Sequence, residues 1–181
     1  MMAMANASGM QGWNRWRVAG WSLAAGLLAA PLVAMQFDTG VNWTGFDFLF
    51  AAVLIGGVGG LFELAVRMSC NTAYRAGIAA ALAAAFAIVW VNGAVGMIGP
   101  ENNPYNLLFI GVIGVALAGA LIARFRAAGM AGAMAAAAIS QVCVAVAGMP
   151  TDLRGGLLSA LFALPWLVSG FLFRKAARDQ G

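Results

Sequence analysis

The sequence predicts an all-α integral membrane protein, a bundle of about six transmembrane helices that forms a single domain over residues 1–181. Hydrophobic residues make up 63% of the chain and charged residues only 9%, and the mean hydropathy is +0.89. A soluble chain of this length would need charged side chains over most of its surface. The apolar stretches are about 20 residues long, enough for a helix to cross ~30 Å of hydrocarbon. They lack the alternation of apolar and polar residues that is typical of membrane barrels, so helices are expected.

Six spans can be placed along the chain from these apolar stretches. They cover residues 17–37, 45–67, 74–99, 105–124, 128–149 and 155–173. The first span follows basic residues, as a secretory signal would, but Leu32 stands where cleavage after Ala34 would require a small residue. We therefore expect a retained helix. Pro31 and Pro165 lie inside the first and last spans, where the missing N–H should bend the helix.

The basic residues predict the orientation. Nine of the ten lie at span ends on one side of the predicted membrane, and they are Arg15, Arg17, Arg67, Arg75, Arg124, Arg126, Arg174, Lys175 and Arg178. The opposite loops contain Asp38, Glu101 and Asp152, with Arg154 as their single cation. Because loops rich in lysine and arginine stay in the cytoplasm, both termini are predicted to be cytoplasmic.

Two carboxylates near helix ends have a structural and a functional interpretation. Thr44 and Asp47 fit the capping pattern in which a hydroxyl and a carboxylate bind the free amides of a helix start. Glu63 and Arg67 have the spacing of an intrahelical ion pair at the inner face. Each acid is also a candidate for binding a cation or relaying a proton, because carboxylates close to hydrocarbon are often functional.

Two amides lie deep in predicted spans. At 1.5 Å per residue, Asn92 is about 25 Å from Arg75 along the third helix, and Gln141 is about 22 Å from Arg126 along the fifth. Hydrogen bonds between helices, worth about 1–2 kcal/mol or less, are one explanation of such residues. The other is a polar vestibule open to the outer face, and its candidate residues are Asp47, Asn92, Gln141 and Glu101.

Small residues indicate close helix packing. Gly56 and Gly60 form a G-x-x-x-G face, and Gly114 and Gly119 belong to small-residue faces of the fourth span. Lipid provides no hydrophobic drive for helices to associate, so contact between backbones through small residues is expected to stabilise the bundle.

The segment WVNGAVGMIGPENNPYN, residues 90–106, combines an apolar helix end with polar residues. Gly99 is expected to end the third helix, Asn103 to cap the fourth, and Pro104 to occupy its first position. Capping does not require Glu101, which leaves it as a functional candidate.

The segment also carries a resemblance. The matching residues are Trp90-Val91-Asn92, Ala94-Val95-Gly96, Ile98-Gly99, Glu101 and Asn103-Pro104. This pattern resembles a family of small polytopic bacterial inner-membrane proteins of uncharacterised function, and the resemblance covers roughly the second to fifth spans. It implies a multi-pass protein of the bacterial inner membrane, and it implies no activity, cofactor or catalytic residue.

The sequence contains no motif that predicts an enzyme. It lacks histidine, a nucleophile elbow, a zinc cluster and a phosphate-binding glycine loop, so we predict no catalytic residue, metal or cofactor. A pigment or quinone between the Ala/Gly-rich helices stays open, without a residue that specifically favours it. The net charge of +4 would suggest nucleic acid in a soluble domain, but membrane orientation already explains these arginines.

The predicted function is therefore that of a structural or accessory subunit of a membrane assembly. Its partners would be the lipid bilayer and either further copies of the chain or a larger membrane complex. The alternative is a small transporter or channel for a solute or ion that uses the polar outer vestibule.

The orientation can be tested with reporter fusions. Fusions after residues 70 and 125 should report a cytoplasmic location, and fusions after residues 40, 102 and 152 an external one, because the basic residues lie on the first side. A cytoplasmic reading at residue 102 would contradict the six-span arrangement.

Overall fold

The computed structural model describes residues 2–37 and 40–179, with side chains from residue 17 onward. Its helices are α1 (Met2–Ala34), α2 (Gly45–Met68), α3 (Thr72–Ala94), α4 (Leu107–Ile122), α5 (Ala127–Gly148), α6 (Leu153–Leu161) and α7 (Ala163–Arg178), with a turn of 3-10 helix (Pro104–Asn106) before α4. The described residues contain no strand and six stretches long and apolar enough to span a membrane, α6 and α7 together forming the sixth. The predicted all-helical class is confirmed, and so is the number of helices long and apolar enough to cross a membrane. Asp38 lies outside the described residues.

The third helix ends earlier than predicted. It stops at Ala94, where the backbone N–H of Gly96 already donates to Val91 O at 3.0 Å. Gly96 has a φ of +77°, and a Cβ there would lie 2.8 Å from Asn106 Nδ2. Only glycine fits this combination of a left-handed backbone and a close neighbour. Gly99 also has a positive φ, of +64°, but it lies beyond the helix end.

The chain divides into two compact units, Met1–Gly60 and Leu61–Gly181. In the first unit, α1 and the part of α2 up to Gly60 approach each other at Gly59, where a Cβ would lie 3.1 Å from Cη2 of Trp21. The second unit consists of the end of α2 and all the later helices. There α5 packs against α4, α6 and α7, and α3 packs against α7 and α4.

The second unit is held together by close backbone approach. The rings of Phe173 and Tyr74 meet edge to face, with centroids 5.2 Å apart. Phe173 also covers Gly77, where a Cβ would lie 3.2 Å from the ring, and Ser169 Oγ donates to Gly77 O at 2.7 Å. A neighbouring helix can come this close only where the side chain is absent or small.

The second unit has two ends with different charge. Seven of its eight cations lie at the end where α3 and α5 begin and α4 and α7 end, which we call the basic end. Arg154 lies at the opposite end, which we call the connection end. At the basic end, Tyr74 OH donates to Phe125 O at 2.8 Å, and Arg75 Nη2 donates to Val66 O at 2.9 Å. The orientation prediction depends on this segregation of charge.

The last span is broken as its proline predicts. α6 ends at Leu161 and α7 begins at Ala163, four and two residues before Pro165. Proline has no N–H for the carbonyl four residues earlier, and its ring crowds that carbonyl, which here belongs to Leu161. α1, in contrast, continues through Pro31 to Ala34.

The predicted packing glycines differ in their surroundings. A Cβ added to Gly119 would lie 2.6 Å from Ala133 Cβ, so α4 and α5 meet there. A Cβ on Gly56, Gly60 or Gly114 would meet no atom of its own unit within 4 Å. No helix of the same unit therefore approaches these three glycines closely, and their predicted role in helix packing stays a prediction.

Replacing Gly119 by leucine should destabilise the protein by about 1–3 kcal/mol, because the side chain would overlap Ala133. Thermal unfolding in mild detergent measures this effect. Gly114→Leu in the same helix is the control, and its melting temperature should stay close to that of the parent. Equal melting temperatures for both variants would contradict the α4–α5 contact.

Candidate functional site

The polar side chains of the second unit converge on the connection between α3 and α4, residues 95–103. Met97 and Ile98 in this connection are almost fully buried, although their backbone belongs to no helix. Buried backbone groups outside regular structure need other hydrogen-bond partners, and side chains supply them here. The connection is therefore the place to look for the roles of the predicted polar residues.

Asn106 is the centre of this arrangement. Its side chain, 5% exposed, accepts from the N–H groups of Met97 and Ile98 at 3.1 and 2.8 Å through Oδ1. Its Nδ2 donates to Pro100 O at 3.1 Å.

Asn103 adds a bond from Nδ2 to Ile98 O at 2.9 Å and caps the 3-10 turn by accepting from the N–H of Tyr105. The predicted capping role of Asn103 is confirmed.

Asp152 ties the same connection to the beginning of α6. Its Oδ1 accepts from Gly155 N at 2.8 Å, as a helix cap, and its Oδ2 accepts from Gly99 N at 3.0 Å. These two backbone donors, that of Gly155 above all, hold the pKa of Asp152 below its usual value because they favour the charged carboxylate. A Cβ on Gly155 would lie 2.7 Å from Met97 O, so α6 starts directly against the connection.

Ser159 and Gln141 extend the network into the helices. Ser159 Oγ donates to Met97 O at 3.0 Å, and Gln141 Nε2 donates to Ser159 O at 2.9 Å. Both side chains are almost completely buried. Gln141 therefore makes the hydrogen bond between helices that its depth predicted, next to the break between α6 and α7. Its Oε1 is buried and has no partner among the described residues.

Asn92 does not join its helix to another through a direct hydrogen bond. Its Nδ2 donates to Ile88 O of the same helix at 2.9 Å, and its Oδ1 is buried without a described partner. The prediction of an interhelical bond is thus wrong for the described contacts of Asn92. The reason is the spacing of four residues, which places the amide against a carbonyl of its own helix.

The remaining predicted residues lie elsewhere. Glu101 is exposed on the turn of the connection. Asp47 belongs to the first unit, where its Oδ2 accepts from Thr44 N at 2.7 Å and from Thr44 Oγ1 at 2.8 Å, so the predicted cap is confirmed. Glu63 and Arg67 form the predicted ion pair at 3.4 Å. In the second unit the network includes Gln141 but not Glu101, and the vestibule stays a prediction.

Sequence reasoning missed Asn106 and Ser159 and treated Asp152 only as a loop charge. The sequence contained a signal for Asp152 and for Asn106. Asp152 precedes Gly155 by three residues at a helix start, which is a capping pattern. Asn103 already caps the 3-10 turn that leads into α4, so Asn106 was available for another role. Nothing in the local sequence of Ser159 indicates its partner, Met97, which is 62 residues away.

Comparisons of the chain with protein-family models, with curated proteins and with solved structures found no match. The resemblance in residues 90–106 therefore stays a prediction.

Replacing Asn106 by alanine should destabilise the protein by about 2–4 kcal/mol, because the buried N–H groups of Met97 and Ile98 would both lose their acceptor. The melting temperature in detergent measures the loss. Asn102→Ala, at an exposed position of the same turn, is the matched control and should melt like the parent. A parental melting temperature for Asn106→Ala would show that the connection does not depend on this side chain.

Proposed function

We propose that this chain is a multi-pass protein of the bacterial inner membrane with cytoplasmic termini, and that it acts without catalysis as a structural or accessory subunit of a membrane assembly. The observation that carries the proposal is the G-x-x-x-G face of α2. A Cβ added to Gly56 or Gly60 would meet no atom of its own unit within 4 Å. Such a face permits close approach of a further helix in lipid.

The surroundings of the two glycines support the same function. Leu49 and Val53 precede them on the same side of α2, at the spacing of one helix stripe, and are 61% and 67% exposed. The stripe therefore offers two protruding apolar side chains followed by a shallow surface at Gly56 and Gly60. A partner helix can interlock with this profile by van der Waals packing, the main force between helices in a bilayer.

The polar residues of the second unit favour this function over a transport route. The side-chain amides of Asn106 and Gln141, the Ser159 hydroxyl and the Asp152 carboxylate all bind backbone groups. A route for a solute needs polar groups that the solute can reach. The alternative function, a small transporter or channel, is favoured by one observation, the unpartnered buried oxygens of Asn92 and Gln141.

The assembly function predicts that Gly60→Leu will disrupt association without lowering the stability of the chain. The tagged protein would be cross-linked in its native membrane, purified in mild detergent, and analysed for copies of itself and for co-purifying subunits. We expect recovery of the cross-linked species to fall about tenfold for Gly60→Leu, because the side chain blocks close helix approach. Gly111→Leu, also without a neighbour within 4 Å, should behave like the parent.

Flux assays in liposomes separate the two functions. Under the assembly function, the purified protein should give no ion or solute flux above that of empty liposomes. Flux that Asn92→Leu or Gln141→Leu abolishes without loss of folding would contradict the proposal and favour the transporter.

A further inference from the structure

A groove of about 620 Å³ lies between α5 and α7 in the second unit and extends to the basic end. Its lining residues are Ala128, Ala131, Gly132 and Ala135 from α5, and Leu167, Gly170, Phe171, Arg174, Ala177 and Arg178 from α7. Each set follows the three- and four-residue spacing of one helix face. The groove is thus bounded by two facing helix stripes that run along the axis of the unit.

The floor of the groove is closed and its walls are apolar. Gly170 approaches α5 closely, since a Cβ there would lie 3.4 Å from Ala131 O. Leu167 and Phe171 are exposed on the α7 side, and Gly132 leaves open space on the α5 side. From Leu167 to Arg178 the stripe is roughly 16 Å long at 1.5 Å per residue. This is the shape of a slot for an extended apolar chain.

The chemistry of the groove changes along its length. Arg174 and Arg178 are exposed, lie one turn apart in the last two turns of α7, and both line the groove where it reaches the basic end. Neither forms an ion pair with a carboxylate of the described residues. Two guanidinium groups at this spacing can bind one phosphate through several charge-assisted hydrogen bonds. Lys175, on the same turn, does not line the groove.

We propose that this groove binds an anionic phospholipid, with the phosphate between Arg174 and Arg178 and an acyl chain along the slot towards Leu167. The charge of the two arginines complements the headgroup, and the Ala/Gly walls accept the chain. A soluble anion would use only the arginines, and a zwitterionic lipid would bring its own cation to them. Basic pockets at the membrane surface between spanning helices suit anionic lipids for this reason.

The test uses the full chain, purified in neutral detergent and stripped of lipid. Melting temperature and native mass spectrometry would be followed during titration with phosphatidylglycerol, phosphatidylcholine or inorganic phosphate. We expect phosphatidylglycerol to bind and raise the melting temperature, and the other two ligands to have little effect. In Arg174→Gln/Arg178→Gln the apparent affinity for phosphatidylglycerol should fall at least about tenfold, because charge-assisted hydrogen bonds are lost. Lys175→Gln, which removes one cation outside the groove, should bind like the parent.

Gly132→Leu tests the acyl-chain slot without touching the arginines. A Cβ at Gly132 meets nothing within 4 Å, so the lipid-free variant should melt like the parent while its affinity for phosphatidylglycerol falls. An equal loss in Lys175→Gln, equal binding of phosphatidylcholine, or an effect of phosphate that matches that of the lipid would each overturn the proposal. Unchanged lipid binding in Gly132→Leu would overturn the placement of the chain in the slot.

Discussion

The need to satisfy backbone groups outside helices governs the second unit. Water cannot bind such groups inside a bilayer or a buried core, so the protein must provide their partners. From residue 97 to residue 100, the connection between α3 and α4 receives them from four side chains, those of Asn103, Asn106, Asp152 and Ser159. Two of these side chains cap or belong to the 3-10 turn before α4, and the other two are the cap of α6 and a residue near its end. Satisfying the connection therefore also fixes where those helices lie.

Small side chains impose the second constraint. Where two helices pack together they permit close contact, and where no helix packs they leave open space. Inside, Gly77 and Gly119 let helices approach until side chains touch the neighbouring backbone or Cβ atoms. This contact stabilises a bundle in lipid, where burial of apolar surface contributes little. Where no helix of the same unit packs, the same residue type leaves open space, as at Gly60 and Gly132. A second helix or a lipid chain can occupy such space, so the packing strategy creates the candidate binding surfaces.

The spans and caps could be predicted because their signals are local. Apolar length indicates a span, and the roles of Asp47, Asn103 and Glu63 depend on neighbours within four residues. The end of α3 was misplaced because Gly96 and Gly99 look alike in sequence, and the close approach of Asn106, Gly99 and Pro100 to Gly96 is what distinguishes them. The candidate site around the connection was predicted less well because its contacts join residues far apart in the sequence. Gln141 and Ser159 meet across 18 residues, a pairing that no local pattern contains.

The two ends of the second unit have different amounts of unused chemistry. At the connection end, Asn106 and Asp152 are engaged with backbone N–H groups, and a ligand there would have to displace those bonds. At the basic end, Arg174 and Arg178 face a groove and are not engaged with a described carboxylate. A ligand binds more readily where it replaces water than where it must break a buried hydrogen bond. Under the proposed function, recognition therefore belongs to the lipid-facing surfaces and the basic end, while the connection end keeps the helices in position.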